Sequence, residues 1–425
     1  MGESGGDLPP SVIHPVRGVW LKRRSALFAL VLSLAAPLSL PAPARAQATR
    51  EYQALVDFAK ELDYAATAPD FVGLAVAVVK EDKIVLMRTY GVREAGGNQP
   101  VTPDTVFRLA SLSKGFAGTL AALEQSEGKL DLQARAITYA PQFKLKSAKD
   151  TQAVTLENVL THSTGLPPYA YDNLLESGTA PQDILAKYGS VKQTCKPGAC
   201  FTYQNTTFNI IASAIEKSTG RSYAQELESR ILEPLGMTTA SLGQKALVAT
   251  GNWARPHRRA GLGWVSTPVT DYYYKVPAAG GMNASITDMS KWLIAQMGGR
   301  PDVLPQAVLA DAHRGRIDTP PESARQRSLK TPVTSTSYAL GWRIYQYAGH
   351  KLMTHSGSVE GYIAQIAWLP DSKTGIVVLS NSRGSRAGKI VPAWLDYQLG
   401  LPKTDWFRMD EILQAGATPV TASGE

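Results

Sequence analysis

Ser111 and Lys114 stand three residues apart in Phe107-Arg-Leu-Ala-Ser-Leu-Ser-Lys-Gly-Phe116, where a helical pattern begins. Residues i and i+3 share a helix face, so the amine can sit beside the hydroxyl. A serine hydroxyl attacks a carbonyl only when a base takes its proton, and a lysine becomes that base when burial and nearby cations pull its pKa towards neutrality. A lone Ser-x-x-Lys occurs about once by chance in a chain of this length. Its weight here comes from Tyr203-Gln-Asn205 and His355-Ser-Gly357, which follow in order. A phenol relays protons if a neighbouring lysine lowers its pKa, and an Asn amide can bond both the lysine and a substrate carbonyl. Small residues on a strand let an extended substrate lie against the backbone. Taken singly, Tyr-x-Asn is ordinary loop material and His-Ser-Gly is equally bland. His162 and Ser163 form a competing Ser/His pair, but neither an Asp orienter nor a Gly-x-Ser-x-Gly elbow accompanies them. That segment reads as a helix end and structural loop.

The elements that must position these residues fall into two kinds. Arg50 to Ala65 has helical periodicity, and Gly73 to Val79 with Ile84 to Tyr90 reads as a hairpin buried on both faces. Tyr338–Tyr345, Ile363–Leu369 and Gly375–Ser380 are further strand candidates, closed by a helix at Ile390–Leu399. Between them helical patterns dominate, at Ser111–Glu127, Thr155–Leu160, Phe208–Thr219, Tyr223–Leu232 and Thr287–Met297. The fold expected is α+β: an antiparallel sheet flanked by N- and C-terminal helices, with a mostly helical subdomain inserted. The divisions are 1–46, a signal segment with an upstream extension; 47–106 plus 336–410, the sheet subdomain; 107–335, the helical insert; and 411–425, a loose tail.

Composition is that of a soluble globular chain, 44% hydrophobic and 19% charged over 425 residues. The net charge is +8; residues 1–46 hold five Lys/Arg against two Asp/Glu, leaving +5 for the remainder. So mild a charge suits a solvated basic surface or a negatively charged envelope, and with no recognisable motif it excludes a nucleic-acid binder. Arg255-Pro-His-Arg-Arg259 is the densest basic cluster and reads as a loop, or alternatively as a functional patch. Lys22-Arg-Arg24, the apolar stretch Ser25–Leu40 and Ala44-Arg-Ala46 have the pattern of a secretory signal cleaved near Ala46. Residues 1–18 sit awkwardly before it, with Val19 a possible start. Export to a periplasm or the exterior is expected, without a stable membrane span; an uncleaved anchor is the alternative. Cys195 and Cys200 can close a small disulfide ahead of Tyr203, or remain two free thiols. No Cys/His spacing for a metal and no phosphate-binding Gly-rich loop occurs, so no cofactor is implied.

In this order the segments resemble the serine β-lactamase and penicillin-binding-protein superfamily, most closely its class C β-lactamase-like branch. The likeness runs from about Leu74 to Asn381. It includes Leu160-Thr-His-Ser-Thr-Gly-Leu-Pro167, Glu233-Pro-Leu-Gly-Met237, Pro277-Ala-Ala-Gly-Gly-Met-Asn-Ala-Ser285, Leu340-Gly-Trp342 and Val377-Val-Leu-Ser-Asn381. The resemblance implies a β-lactamase/transpeptidase-like fold and an acyl-enzyme on Ser111, with Lys114 as proton acceptor and Tyr203 acting in deacylation. Asn205, His355, Ser356 and Gly357 would bind substrate, and the backbone amides of Ser111 and Ser358 would form the oxyanion hole. Class C enzymes usually carry lysine where this chain has His355, a weaker and pH-dependent cation. If it binds a carboxylate only when protonated, acylation by anionic donors should weaken above neutral pH. The substrate implied is a small molecule or short peptide. β-Lactam hydrolysis leads, with a family VIII-type carboxylesterase or a D-alanyl-D-alanine carboxypeptidase or D-aminopeptidase close behind. A slow-turnover penicillin-binding receptor or scaffold is the reading of a different class.

Overall fold

The computed structural model describes residues 42–329 and 331–414. The apolar stretch Ser25–Leu40 and the tail from 415 lie outside the described residues. Ala44–Ala46 falls in the opening turns of a helix, Ala42–Ala65, and 411–414 belong to a helix, Met409–Gln414, rather than to a loose tail. None of the described helices is long and apolar enough to cross a membrane.

The described residues from 49 to 414 form one compact unit around an eight-stranded sheet. From one edge its strands run Lys83–Gly91, Gly73–Lys80, Thr374–Ser380, Tyr362–Leu369, His350–Val359, Arg343–Tyr347, Val333–Tyr338 and Ile317–Asp318. All neighbours pair antiparallel, and Gly73–Lys80 joins Thr374–Ser380 through the register Leu74↔Ser380 to Lys80↔Thr374. The sheet therefore begins at Ile317, earlier than the boundary at 336 drawn from the sequence.

The alternation of a strand sends successive side chains to opposite faces. Leu74, Val76 and Val78 join Ile376, Val378, Phe58, Leu62 and Trp394 in one core, under the first helix and the closing helix Ile390–Leu399. Ala75, Ala77 and Val79 join Val377, Leu379, Phe116 and Trp292 in the other. That second core carries the helical insert, led by Ser113–Ser126 and Ile286–Gln296, where Phe116 stacks on Trp292 with centroids 4.0 Å apart. Burial on both faces thus holds for Gly73–Lys80 but not for its hairpin partner. Lys83–Gly91 is an edge strand, with Ile84 41% and Val85 40% exposed.

The single strand expected over Tyr338–Tyr345 is two, ending at Tyr338 and resuming at Arg343. Gly341 turns the chain between them at φ +75°, where a Cβ would meet the Lys114 carbonyl oxygen at 2.1 Å. Helix Ser113–Ser126 rests directly on this turn, since a Cβ on Gly118 would lie 2.0 Å from the Leu340 carbonyl oxygen and one on Gly115 would lie 2.5 Å from the Trp342 ring. Bare backbone on both sides is what lets the helix bearing Lys114 press so close to the sheet.

Candidate active site

Ser111 lies in a short 3₁₀ turn, Ala110–Leu112, that feeds helix Ser113–Ser126. Ala110 adopts φ +49°, a conformation that a side chain rarely holds without surrounding support. The support is visible. The Ser113 hydroxyl donates to the Ala110 carbonyl (2.6 Å) and accepts from the Met282 amide (3.0 Å), while the Leu109 amide donates to the Met282 carbonyl (2.9 Å). Gly357 packs on the other side. A Cβ there would lie 2.1 Å from the Leu109 carbonyl oxygen and 2.9 Å from Ser111 N. Glycine in the His-Ser-Gly triplet thus admits the turn bearing Ser111 against the strand His350–Val359.

Lys114 is fully buried. Its Nζ donates to Asn205 Oδ1 (2.7 Å) and the Ala279 carbonyl (2.9 Å), and lies 3.4 Å from Ser111 Oγ. Burial lowers its pKa to about 7; Asp172 opposes that fall and Arg343 adds to it. A neutral amine has two N–H bonds and one lone pair. With both hydrogens held by carbonyl oxygens, the lone pair is left for the Ser111 hydroxyl proton. Distances of this kind tighten when substrate binds.

Asn205 connects Lys114 to a residue that the sequence did not single out. Its Nδ2 donates to Asp172 Oδ2 at 2.7 Å, and the Tyr273 hydroxyl reaches the same oxygen at 3.5 Å. Burial raises the Asp172 pKa against the pull of Asn205 and Lys114. No motif marks Asp172, and only the fold brings it under Asn205.

The loop carrying Tyr203 is fastened by His162. The Gln204 amide donates to His162 Nδ1 (3.1 Å), the Thr202 amide to the His162 carbonyl (2.7 Å), and the ring packs tilted against Tyr203 with centroids 4.2 Å apart. Burial and nearby cations hold its pKa well down, so His162 is a neutral fastener, as the structural-loop reading required. Cys195 and Cys200 are joined in a disulfide whose loop packs on the same segment, with the Thr194 amide on the Gly165 carbonyl (2.8 Å) and that of Gly198 on Ser163 (2.7 Å). Burial pushes the Tyr203 phenol well up, while Arg343 and a hydrogen bond with Ser111 pull it back. Tyr203 rests as a protonated phenol, and the amine, not the phenol, is poised near neutrality. That differs from the expected lysine-lowered phenol because burial outweighs the neighbouring charge.

Ser111, Tyr203, Asn205, Ser356 and Ser358 line one cavity of about 230 Å³. His355 does not line it. Strand alternation puts Ser356 and Ser358 on the cavity face and His355 on the other, 1% exposed. Its Nδ1 donates to the Ser356 carbonyl (3.0 Å), which leaves Nε2 to accept from the Tyr338 hydroxyl (3.0 Å). Both nitrogens of a neutral ring are thereby satisfied. Burial, with Arg343 and Lys114 adding to it, keeps the pKa well below the usual histidine value. The expected carboxylate-binding cation is therefore not His355. Arg343, the first residue of its strand, lines the cavity instead, with Arg325 beside it. Arg343 is paired with Glu322 (3.2 Å) and lies over the Tyr203 ring at 5.5 Å. Burial opposes its charge, but the surrounding Tyr345 and Glu322 outweigh it and the pKa is raised. Among the described residues no cluster of His, Cys, Asp and Glu could hold a metal ion.

Comparison with known proteins adds the lineage. The profile of the Beta-lactamase family matches residues 49–399. Unguisins hydrolase ungD of Aspergillus violaceofuscus is 26% identical over 384 residues, covering 82% of this chain and 65% of that protein. Protein flp of Staphylococcus aureus is 25% identical over 326 residues, covering 75% and 61%. The chain thus spans under two thirds of the length of these curated relatives. The octameric penicillin-binding protein homologue from Pyrococcus abyssi superposes with a TM-score of 0.71 at 25% identity, over 82% of this chain and 78% of that one. With the fold and most of its length in agreement, the chain belongs to the Beta-lactamase family, within the serine β-lactamase and penicillin-binding-protein superfamily.

Proposed function

We propose that this protein is an exported serine hydrolase that forms an acyl-enzyme on Ser111. One observation carries the reading: a fully buried Lys114 whose hydrogens are taken by Asn205 and Ala279 and whose remaining direction is Ser111. Ser111 Oγ attacks the acyl carbonyl as Lys114 takes the hydroxyl proton. The oxyanion forms between the amides of Ser111 and Ser358, a contribution of about 3 kcal/mol per donor in comparable sites. Tyr203 passes its proton to the leaving amine as the carbonyl–nitrogen bond breaks and takes one back from the protonated Lys114, so that the proton removed from Ser111 ends on the leaving group. Water, giving up a proton along the same path, then releases the acid and restores the hydroxyl.

Arg343 and Arg325 supply positive charge at one end of the cavity. They favour donors whose leaving side keeps a carboxylate, namely a β-lactam or a peptide ending in a D-amino acid, over a neutral ester. β-Lactam hydrolysis is the leading form of this reading. Intact-mass spectrometry with a cephalosporin, sampled from seconds to an hour beside Ser111→Ala, tests it. A transient adduct with loss of drug, absent in the variant, is the expected result. A persistent adduct would mean a penicillin-binding peptidase or receptor. No adduct, with p-nitrophenyl esters still cleaved, would mean an esterase. Stoichiometric labelling of the variant would move the nucleophile elsewhere.

A further inference from the structure

A second cavity, of about 800 Å³, lies beside the first, and its wall includes Arg258, Trp264, Glu360, Arg383 and Ser385. The acidic groups in it are already engaged. Asp70 is paired with Arg259 (3.5 Å) and Arg386 (3.3 Å) and accepts from the Ser385 hydroxyl (2.8 Å), and Glu360 accepts from the Tyr272 hydroxyl. His257 is neutral, donating from Nδ1 to the Asn381 carbonyl (2.9 Å) and accepting at Nε2 from the Ala95 amide (3.0 Å). Arg258 and Arg383 differ. Both are exposed in the cavity wall, and among the described residues neither guanidinium makes a hydrogen bond or ion pair. Arg258 belongs to the basic cluster of the sequence, here folded into the hairpin His257–Ala260 and Gly263–Ser266.

The two cavities adjoin along one strand. Ser356, Ser358 and Val359 line the Ser111 cavity, and the next residues, Glu360 and Gly361, line the second. Tyr273 lines the first, and its neighbour Tyr272 bonds Glu360. Among the described residues, 355–359 pair only with Tyr362–Ile366, because pairing to the other neighbour stops at Arg343↔Thr354. An extended chain rises about 3.3 Å per residue, so an acyl chain along that open edge spans the roughly 7 Å from Ser358 to Glu360 in about two residues. With Arg343 at the Thr354 end, the leaving side points there and the acyl side points towards the second cavity.

We infer that the cavity walled by Arg258 and Arg383 is a distal subsite for an anionic group on the acyl side of the substrate, selecting acidic peptides over neutral ones. This rests on the reading of Ser111 as the acylated residue. The test uses two thioesters of mercaptoacetate, acetyl-Asp-Gly and acetyl-Asn-Gly, which share a carboxylate-bearing leaving group and differ by one charge two residues into the acyl part. Thiol release and Ser111 adduct mass are followed on the full chain and on Arg258→Ala/Arg383→Ala, both exposed positions. The expected result is a kcat/KM about fivefold to tenfold higher for the Asp donor, falling to parity in the double variant while the Asn donor is unchanged. Equal rates on the parent protein, or a preference that survives the double substitution, would overturn the subsite alone. No Ser111 adduct from either donor would overturn the subsite together with the acyl-enzyme reading.

Discussion

Gly357→Ala should separate the geometry of the site from its chemistry, because it alters no reactive group. The added Cβ would lie 2.1 Å from the Leu109 carbonyl oxygen, 2.9 Å from Ser111 N and 3.2 Å from Ala110 Cβ. A carbon resting against a carbonyl oxygen needs about 3.3 Å, so turn and strand must part by about 1.2 Å. The strand is held in place by its pairing with Tyr362–Leu369, and the turn by Ser113 and Met282. Neither side moves freely. The gap opens between the amides of Ser111 and Ser358, where a misplacement of about 1 Å is worth about a hundredfold in rate. Overpacking of this kind costs about 1–3 kcal/mol of stability. Rapid-quench intact mass gives the acylation rate with a cephalosporin, and thermal unfolding checks the fold. Gly388→Ala, whose added methyl meets nothing within 4 Å, is the control. Acylation within threefold of the parent in Gly357→Ala would refute the argument that this close approach assembles the oxyanion site.

Four more predictions concern the site and the loop beside it. Lys114, at about 7, sits below its free value of about 10.4, so kcat/KM should rise with pH through an inflection near 7 as the amine loses its proton. The unfolded chain holds that proton up to about pH 10.4, so this group's contribution to stability also grows with pH across that window. Asp172→Asn should move the inflection down and Arg343→Gln should move it up, since the two charges act on Lys114 in opposite directions; a pH–rate series in which both shift the same way would remove the electrostatic account. His355→Leu should leave the pH profile for an anionic donor between pH 6 and 8 unchanged while lowering stability by about 1–3 kcal/mol through the unpaired Tyr338 hydroxyl. A parental decline over that range that vanishes in the variant would restore His355 as the carboxylate-binding cation. Cys195→Ser/Cys200→Ser should lower stability by about 2 kcal/mol, as expected for so short a loop, and denaturant midpoints at unchanged slope would measure it.

Spacing along the chain revealed what spacing controls. Ser111 and Lys114 stand one helical turn apart, so their meeting was legible, and the near-continuous apolar runs at 73–79 and 375–380 announced buried strands. Asp172 escaped because it reaches Lys114 only through Asn205, 33 residues further on, and a carboxylate at the start of a short helix carries no local signature. The His355 triplet was read as one block facing substrate, although the two-residue period of a strand divides it between faces. Arg343 follows the recognisable Leu340-Gly-Trp342, yet its facing is set by the Gly341 turn, which the continuous reading of 338–345 concealed.

The pairing of Gly73–Lys80 with Thr374–Ser380 sets the order of assembly. The Gly73 carbonyl accepts from the Ser380 hydroxyl across 307 residues, and closing a loop of that length costs about 5 kcal/mol in chain entropy before any contact offsets it. The hairpin of residues 73–91 therefore waits, one flank unpaired, until residues 374–380 have been made. Strand His350–Val359, which supplies one wall of the Ser111 cavity, arrives in the same late stretch. A chain cut anywhere before it can hold Ser111 and Lys114 on a formed helix and still have no pocket. A complete Ser111 cavity should accordingly appear in one late step of folding, and fragments lacking the last strands should expose the unpaired flank of Gly73–Lys80 as an edge for aggregation.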